Sequence, residues 1–257
     1  MEELLYKVLI CFLAGAGAGM GIGFAGMSAA TVISPMLITF LHLPAYNAIG
    51  IALGSDVLAS AASAYTYAKN KSTDIRNGLV MMAGVLVMTV AGSWLSSFVE
   101  NGTLRNFSVI MTLLLGLKFL IFPVKSGQKT LSGSSRWIQA AKSLVCGSII
   151  GLICGFFGAG GGMMMLMLLT MVLGYELKTA VGTSVFIMTF SALTGAVSHF
   201  VLSEPPQMDL LILCTVFTFF WAKIATRIAT GADGKTLNRI VGTFLTALGI
   251  LLLIITY

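Results

Sequence analysis

Apolar residues fill this chain in eight blocks, roughly 4–42, 46–68, 77–99, 104–122, 142–174, 178–202, 209–230 and 237–256, with short polar stretches between them. Most blocks are about 20 residues long, enough for a helix to cross a hydrocarbon core of roughly 30 Å. The pattern predicts an all-α, polytopic membrane protein with no soluble domain left over. The blocks at 4–42 and 142–174 are too long for one span, and glycines interrupt them at residues 15–26 and 155–162. Each is expected to fold as a helical hairpin of two short arms.

Sliding the chain along itself exposes an internal repeat. The segment GFAG, Gly23 to Gly26, falls on GFFG, Gly155 to Gly158, at an offset of 132 residues. The same offset pairs Leu37 with Leu169, Thr39 with Met171, Ala48 with Ala180 and Gly50 with Gly182. One inserted residue later, Leu104 and Gly116 fall on Leu237 and Gly249. Register kept over that length points to a duplication, the alternative being convergent membrane composition rich in Gly and Ala. The expected organisation is a first membrane repeat at 1–123, a cytoplasmic connector at 124–141 and a second membrane repeat at 142–257.

Lys and Arg concentrate in short cytoplasmic loops, so loop charge orients the halves. The loop after 46–68 carries Lys69, Lys71 and Arg76, whereas its counterpart after 178–202 carries Glu204 and Asp209 and no base. The next loop reverses the pattern, with Arg105 in the first half against Lys223, Arg227, Lys235 and Arg239 in the second. The connector, with Lys125, Lys129 and Arg136 and with Lys142 just beyond it, falls in the cytoplasm. These assignments agree only if the repeats are inverted and each broken first block returns to the side it left, which puts both termini outside. Inverted repeats with discontinuous helices build many secondary transporters, whose substrate site lies near the midplane where the halves meet.

Composition supports the membrane and removes other classes. Hydrophobic residues make up 57% of the chain and charged residues 9%, against roughly 25% charged in soluble domains. The net charge of +6 sits in short loops, which is retention in the cytoplasm rather than nucleic-acid binding. Cys11, Cys146, Cys154 and Cys214 all lie in apolar segments without metal-ligand spacing, and are expected to pack. Lys7 precedes an apolar stretch, but that stretch continues to Leu43 and reads as retained membrane structure rather than a leader.

The candidate chemistry centres on GFFGAGGGMMM. Gly158, Gly160, Gly161 and Gly162 each cost a helix about 1 kcal/mol, and unwound backbone at membrane depth is tolerated only inside protein or along a cavity. Glycine lets amides approach a ligand, and a following half-helix offers free N–H groups, so together they make an anion site without a charged side chain. The bland reading is close helix packing, which suits Gly15, Gly17 and Gly19 better than the glycine triplet. The first-half equivalents are Ser28, Ala29 and Ala30, followed by Thr31 and Pro35. Thr183 and Ser184 could donate near a helix start, or could bond their own helix carbonyls. Asp56, the only carboxylate within its apolar block, is a coupling or proton candidate because an intramembrane charge is costly; alternatively it faces a wet vestibule or pairs with Lys118. His199 reads as an interfacial polar residue and the methionines as flexible packing. No Ser-His-Asp set, histidine cluster or nucleotide loop is present, so neither enzyme chemistry nor a cofactor is expected.

At these residues the chain resembles the sulfite exporter TauE/SafE family of membrane permeases, whose duplicated signature is Gly-x-x-Gly-x-Gly-Gly-Gly, a nearby proline and a later Gly-Thr-Ser. Gly155, Gly158, Gly160, Gly161, Gly162, Gly182, Thr183 and Ser184 match the second copy; Gly23, Gly26, Pro35, Ala48 and Gly50 match the first. The chain departs where Ser28, Ala29 and Ala30 replace the first triplet, where Ile51 and Ala52 replace Thr-Ser, and where Met167 stands at the second proline position. The resemblance implies a permease of the bacterial inner membrane that moves sulfite or a related small anion. The expected mechanism is alternating access around an anion held by Ser28, Thr31, Gly158, Gly160, Gly161, Gly162, Thr183 and Ser184, with Pro35 beside them. The expected partners are that anion, the bilayer and, as an open option, a second copy in a homodimer. The rival readings are a proton- or cation-coupled importer, a metal-linked permease using Asp56 and the methionines, and a scaffold subunit whose glycines only pack.

Overall fold

The structure is a computed structural model that describes residues 2–96, 113–114, 117, 120–121, 136–157, 161–202 and 206–256. These residues form α1 (Glu2–Ala25), α2 (Ala30–Leu41), α3 (Ala45–Lys69), α4 (Ile75–Ser96), α5 (Arg136–Phe157), α6 (Gly161–Met171), α7 (Leu177–Leu202), α8 (Met208–Gly231) and α9 (Gly234–Thr256). Among the described residues there is no strand, and five helices are long and apolar enough to cross a membrane: Glu3–Ala25, Tyr46–Lys69, Ile75–Gly92, Leu177–Val201 and Met208–Gly231. The chain is thus an all-α, multi-pass membrane protein. Its outward faces carry large apolar side chains such as Val87, Trp94, Val197 and Phe220, while Ser55, Asp56, Ser60, Ser63, Thr183 and Ser184 are buried. Lipid rewards that arrangement, because it offers apolar side chains a solvent and polar ones none.

The arms of the hairpins are unequal, and the first breaks only at the last glycine of the 15–26 stretch that the sequence marks. α1 runs uninterrupted for 24 residues through Gly15, Gly17, Gly19, Gly21 and Gly23, about 36 Å of helix. In lipid no water competes for the backbone, so a glycine need not end a helix there. Gly15, Gly19 and Gly23 instead line a seam with α8: a Cβ at Gly19 would stand 2.7 Å from the Ala222 amide nitrogen, and one at Gly23 would stand 2.7 Å from that of Thr226. Gly147 and Gly151 serve α5 in the same way, facing the Met81 and Val85 carbonyls of α4. The α1–α8 and α4–α5 pairs are the most extensive in the bundle.

α1 ends at Gly26, whose φ of +62° is open to glycine at no steric cost. Its amide donates to the Ile22 carbonyl (3.0 Å), the 5→1 bond of an αL cap, and that of Met27 donates to the Gly21 carbonyl (3.3 Å). After 26–29 the chain reverses into α2, a short arm of 12 residues that contains Pro35. Tyr6 Oη donates to the Phe40 carbonyl at 3.3 Å, so α2 returns to the end where α1 began. The second hairpin pairs α5, 22 residues, with α6, 11 residues; α5 opens at Arg136, within the segment assigned above to the connector.

Contacts fix the running sense of the helices. The end of α3 and the 72–74 segment meet the start of α7 at Gly182 and Thr183, and Lys178 Nζ donates to the Thr230 carbonyl near the end of α8 (3.0 Å). Lys69, Lys71, Arg76, Lys178, Arg227, Lys235 and Arg239 therefore share one end of the bundle. At the other end Tyr46, at the start of α3, lies against His199, near the end of α7. α1 is parallel to α8, since Gly15, Gly19 and Gly23 meet Phe217, Ala222 and Ala225 in order, and so runs toward the basic end. α5 is parallel to α4, since Gly147 and Gly151 meet Met81 and Val85 in order, and so runs away from it. The two hairpins enter the bundle from opposite ends.

Candidate functional site

The tips of the hairpins meet. A Cβ at Gly162, in the first turn of α6, would stand 2.6 Å from the Ser28 amide nitrogen and 2.7 Å from the Met27 Cα. Packed this closely, the start of α6 touches the turn that leads into α2, in the interior between α3 and α7.

Asp56 answers the first tip from the middle of α3. Its side chain is fully buried. Oδ2 accepts the Ser28 hydroxyl at 2.8 Å and the Ala29 amide at 3.0 Å, and Oδ1 accepts the Ser60 hydroxyl. Ser28 Oγ in turn accepts the Ala30 amide at 3.3 Å. The first amides of a helix have no partner within it, and here the carboxylate and a serine supply two of them. The wet-vestibule alternative for Asp56 gives way, since the residue has no solvent exposure, and among the described residues its partners are two hydroxyls and an amide. Lys118 lies outside the described residues.

The other half reaches the same tip. Ser184 Oγ donates to the Gly26 carbonyl at 2.7 Å, and a Cβ at Gly26 would lie 3.0 Å from the Ser184 Cβ. On the first half's side, Tyr67 Oη donates to the Gly23 carbonyl at 2.7 Å. Asp56, Ser60, Ser63 and Tyr67 thus form one face of α3, at spacings of four, three and four residues, with Ser63 accepting the Thr226 hydroxyl of α8 at 2.9 Å. Ser60, Ser63 and Tyr67 are not among the residues that the sequence singles out. The signal was present as a helical stripe downstream of Asp56, hidden because serine also serves as a small packing residue in membrane helices.

The remaining sequence candidates divide. Thr31, in the first turn of α2, and Ser34 are buried, and Pro35 follows inside the same helix, where it removes the amide that would reach the Thr31 carbonyl. Gly161 opens α6; Gly158 and Gly160 lie outside the described residues. Thr183 is buried but faces away from the tips, its Oγ1 accepting the Asp74 amide at 3.0 Å. That bond belongs to a latch at the basic end, where the Tyr175 phenol donates to Asp74 Oδ2 at 2.8 Å and Asn77 Nδ2 donates to the same oxygen at 2.7 Å. Burial, and next the Asp74 carboxylate it meets, push the Tyr175 phenol up, so it stays a donor at every working pH. Tyr175→Phe is expected to remove one bond to a charged acceptor, about 1.5–3 kcal/mol. Labelling of Thr73→Cys from the basic side should then speed up at least tenfold in the double variant; unchanged labelling would mean that the latch does not hold this end shut.

The four cysteines are free and buried, with the Cys11 and Cys214 thiols meeting across the α1–α8 seam. No group of three metal-binding side chains occurs among the described residues. A recess of about 440 Å³ between α3, α7 and α8, lined by Leu58, Leu193, Val197, Phe200 and Ile212, is apolar and lies apart from the tips.

Over residues 11–252 the chain matches the family described as sulfite exporter TauE/SafE. It is 24% identical over 254 residues to the "Probable membrane transporter protein YunE" of Bacillus subtilis (strain 168), covering 94% of this chain and 93% of that one. It is 23% identical over 192 residues to the "Probable membrane transporter protein YdhB" of the same organism, covering 75% and 77%. No solved structure matches it.

Proposed function

The chain belongs to the sulfite exporter TauE/SafE family, a family of membrane transporters, and on that premise we propose that it exports a small anion, sulfite or a related sulfur compound, by alternating access. The observation that carries this reading is the meeting of two interrupted helices inside an apolar bundle, where Gly162 abuts the backbone of Met27 and Ser28. Discontinuous helices offer free amides to an anionic group at membrane depth. The second tip, with Gly158, Gly160, Gly161 and Gly162, supplies amides; Ser184 holds the first tip from α7, and Thr183 ties the same helix to the latch.

The halves act as inverted repeats, 1–123 and 142–257, that rock about this junction. In support, α1 and α5 run in opposite senses, and glycines 132 residues apart, Gly15 with Gly147 and Gly19 with Gly151, build matching seams. The α3–α8 and α4–α7 contacts are likewise counterparts under that exchange. The basic end faces the cytoplasm of a bacterial cell and both termini face outward, following the rule for short basic loops. With the interior negative, a monoanion leaving the cell gains about 2.3 kcal/mol per 100 mV, so export needs no coupling ion.

Radiolabelled sulfite flux in proteoliposomes, with membrane potential and proton gradient imposed separately, tests this reading. Flux driven by potential alone is expected. Flux that requires a proton gradient would replace the uncoupled exporter with a coupled carrier, and the absence of sulfite flux while another anion moves would replace the substrate.

A further inference from the structure

We propose that Asp56 is a resident anion: a carboxylate of the chain itself that permanently fills the amide end of α2 and makes the two halves unequal. Its effect on flux rests on the transporter reading; its effect on stability does not.

The amides at the start of α2 are answered from within the chain. Ala29 N donates to Asp56 Oδ2 (3.0 Å), Ala30 N to Ser28 Oγ (3.3 Å), Thr31 N to the Ser28 carbonyl (3.2 Å) and Val32 N to the Ala29 carbonyl (3.1 Å). Ser28 is a relay, accepting from Ala30 while donating to Asp56 at 2.8 Å. The Ala29 amide can only donate, so Oδ2 accepts there, and the Ser28 and Ser60 hydroxyls each have a proton to give a carboxylate oxygen, a donor set that suits an ionised carboxylate. Burying such a charge is unfavourable unless it is paired or hydrogen-bonded. Here the positive end of a helix and two hydroxyls do that work.

The second half has no such set. The residues 132 positions after Ser28, Asp56 and Ser60 are Gly160, Met188 and Ala192. Met188 and Ala192 are buried in α7, where an acid and its serine would otherwise stand. The chain supplies a carboxylate for one tip and, at the matching places of the other, a thioether, a methyl and a bare backbone. Asp56 is thus a positioning residue: it keeps the first tip closed so that Ser28 and Met27 present a fixed backbone to Gly162.

The test is chemical replacement in the full-length purified chain. Asp56→Ala is expected to lower the melting midpoint and to reduce sulfite flux at least tenfold. Formate, a carboxylate small enough for the vacated space, should raise the midpoint of Asp56→Ala by about 3 °C or more at concentrations well above its dissociation constant and recover most of the flux. Wild-type protein should show neither response. Asp56→Asn, which keeps an acceptor oxygen without the charge, should fold, melt below wild type and ignore formate. The proposal is overturned if formate leaves Asp56→Ala unchanged or stabilises wild type equally, or if Asp56→Asn matches wild type in stability and flux. Asp56→Asn that exchanges normally but cannot accumulate would make Asp56 a proton carrier instead. The melting arm separates this proposal from the transport reading: formate stabilisation of Asp56→Ala beside a wild type that moves no anion keeps the resident anion and removes the exporter, and the converse result does the reverse.

Discussion

Gly162→Ala is expected to cut transport by roughly 5- to 150-fold, the rate equivalent of the 1–3 kcal/mol that overpacking a close contact costs. The new methyl would meet the Ser28 nitrogen and the Met27 Cα at 2.6 and 2.7 Å. Both are backbone atoms, so no side chain can rotate away and the tips must part. Ser28 would be pushed against the bonds it makes to Asp56 and Ala30. Gly151→Ala is the control for packing alone. Its methyl would press on the Val85 carbonyl in the α4–α5 seam, away from the tips, and should lower thermal stability with flux per folded molecule largely retained. Parallel melting and flux measurements decide: equal losses of flux per folded molecule in the two variants would reduce the tip glycine to another packing residue.

Gly182→Ala should have the second large effect, at the basic end. Its Cβ would overlap the Ser72 carbonyl oxygen and stand 2.8 Å from Thr73 Oγ1. The 72–74 segment is tied to the next residue of α7 by the Asp74 amide to Thr183 bond, so the segment cannot shift without losing it. Gly50, the matching position in the first half, faces side chains instead, with Phe200 Cε1 at 3.1 Å and His199 Cβ at 3.3 Å from a built Cβ. A side chain yields at lower cost than a carbonyl held in a turn. Gly182→Ala is therefore expected to expose Thr73→Cys to a membrane-impermeant maleimide and to slow net flux by roughly tenfold or more, whereas Gly50→Ala stays within about twofold of wild type. Similar behaviour of the two variants would dissolve the distinction between a latched end and a merely packed one.

The sequence by itself determined the solvent of this protein and most of its helices. Apolar blocks of spanning length could only be membrane helices, because lipid leaves the backbone no partner but itself. The broken first block of each half was legible from its excess length, and Asp56 stood out because a lone acid in an apolar run has to be accommodated. What the sequence left broad was the first interruption, spread over Gly15 to Gly26, whereas the helix runs on to the last glycine of that stretch. Composition cannot distinguish a glycine that ends a helix from one that lets two helices touch, and in α1 five glycines pass before Gly26 takes the left-handed conformation that stops it. The partners of Asp56, the stripe of Ser60, Ser63 and Tyr67, and the contact of Gly162 with Met27 and Ser28 were decided by tertiary structure alone. Helices that are apolar on every side show little of the 3.6-residue pattern that would mark an inward face. The bonds that define the tips join residues as far apart as Gly26 and Ser184, a separation at which no local preference acts and only the packing of the whole bundle brings donor to acceptor.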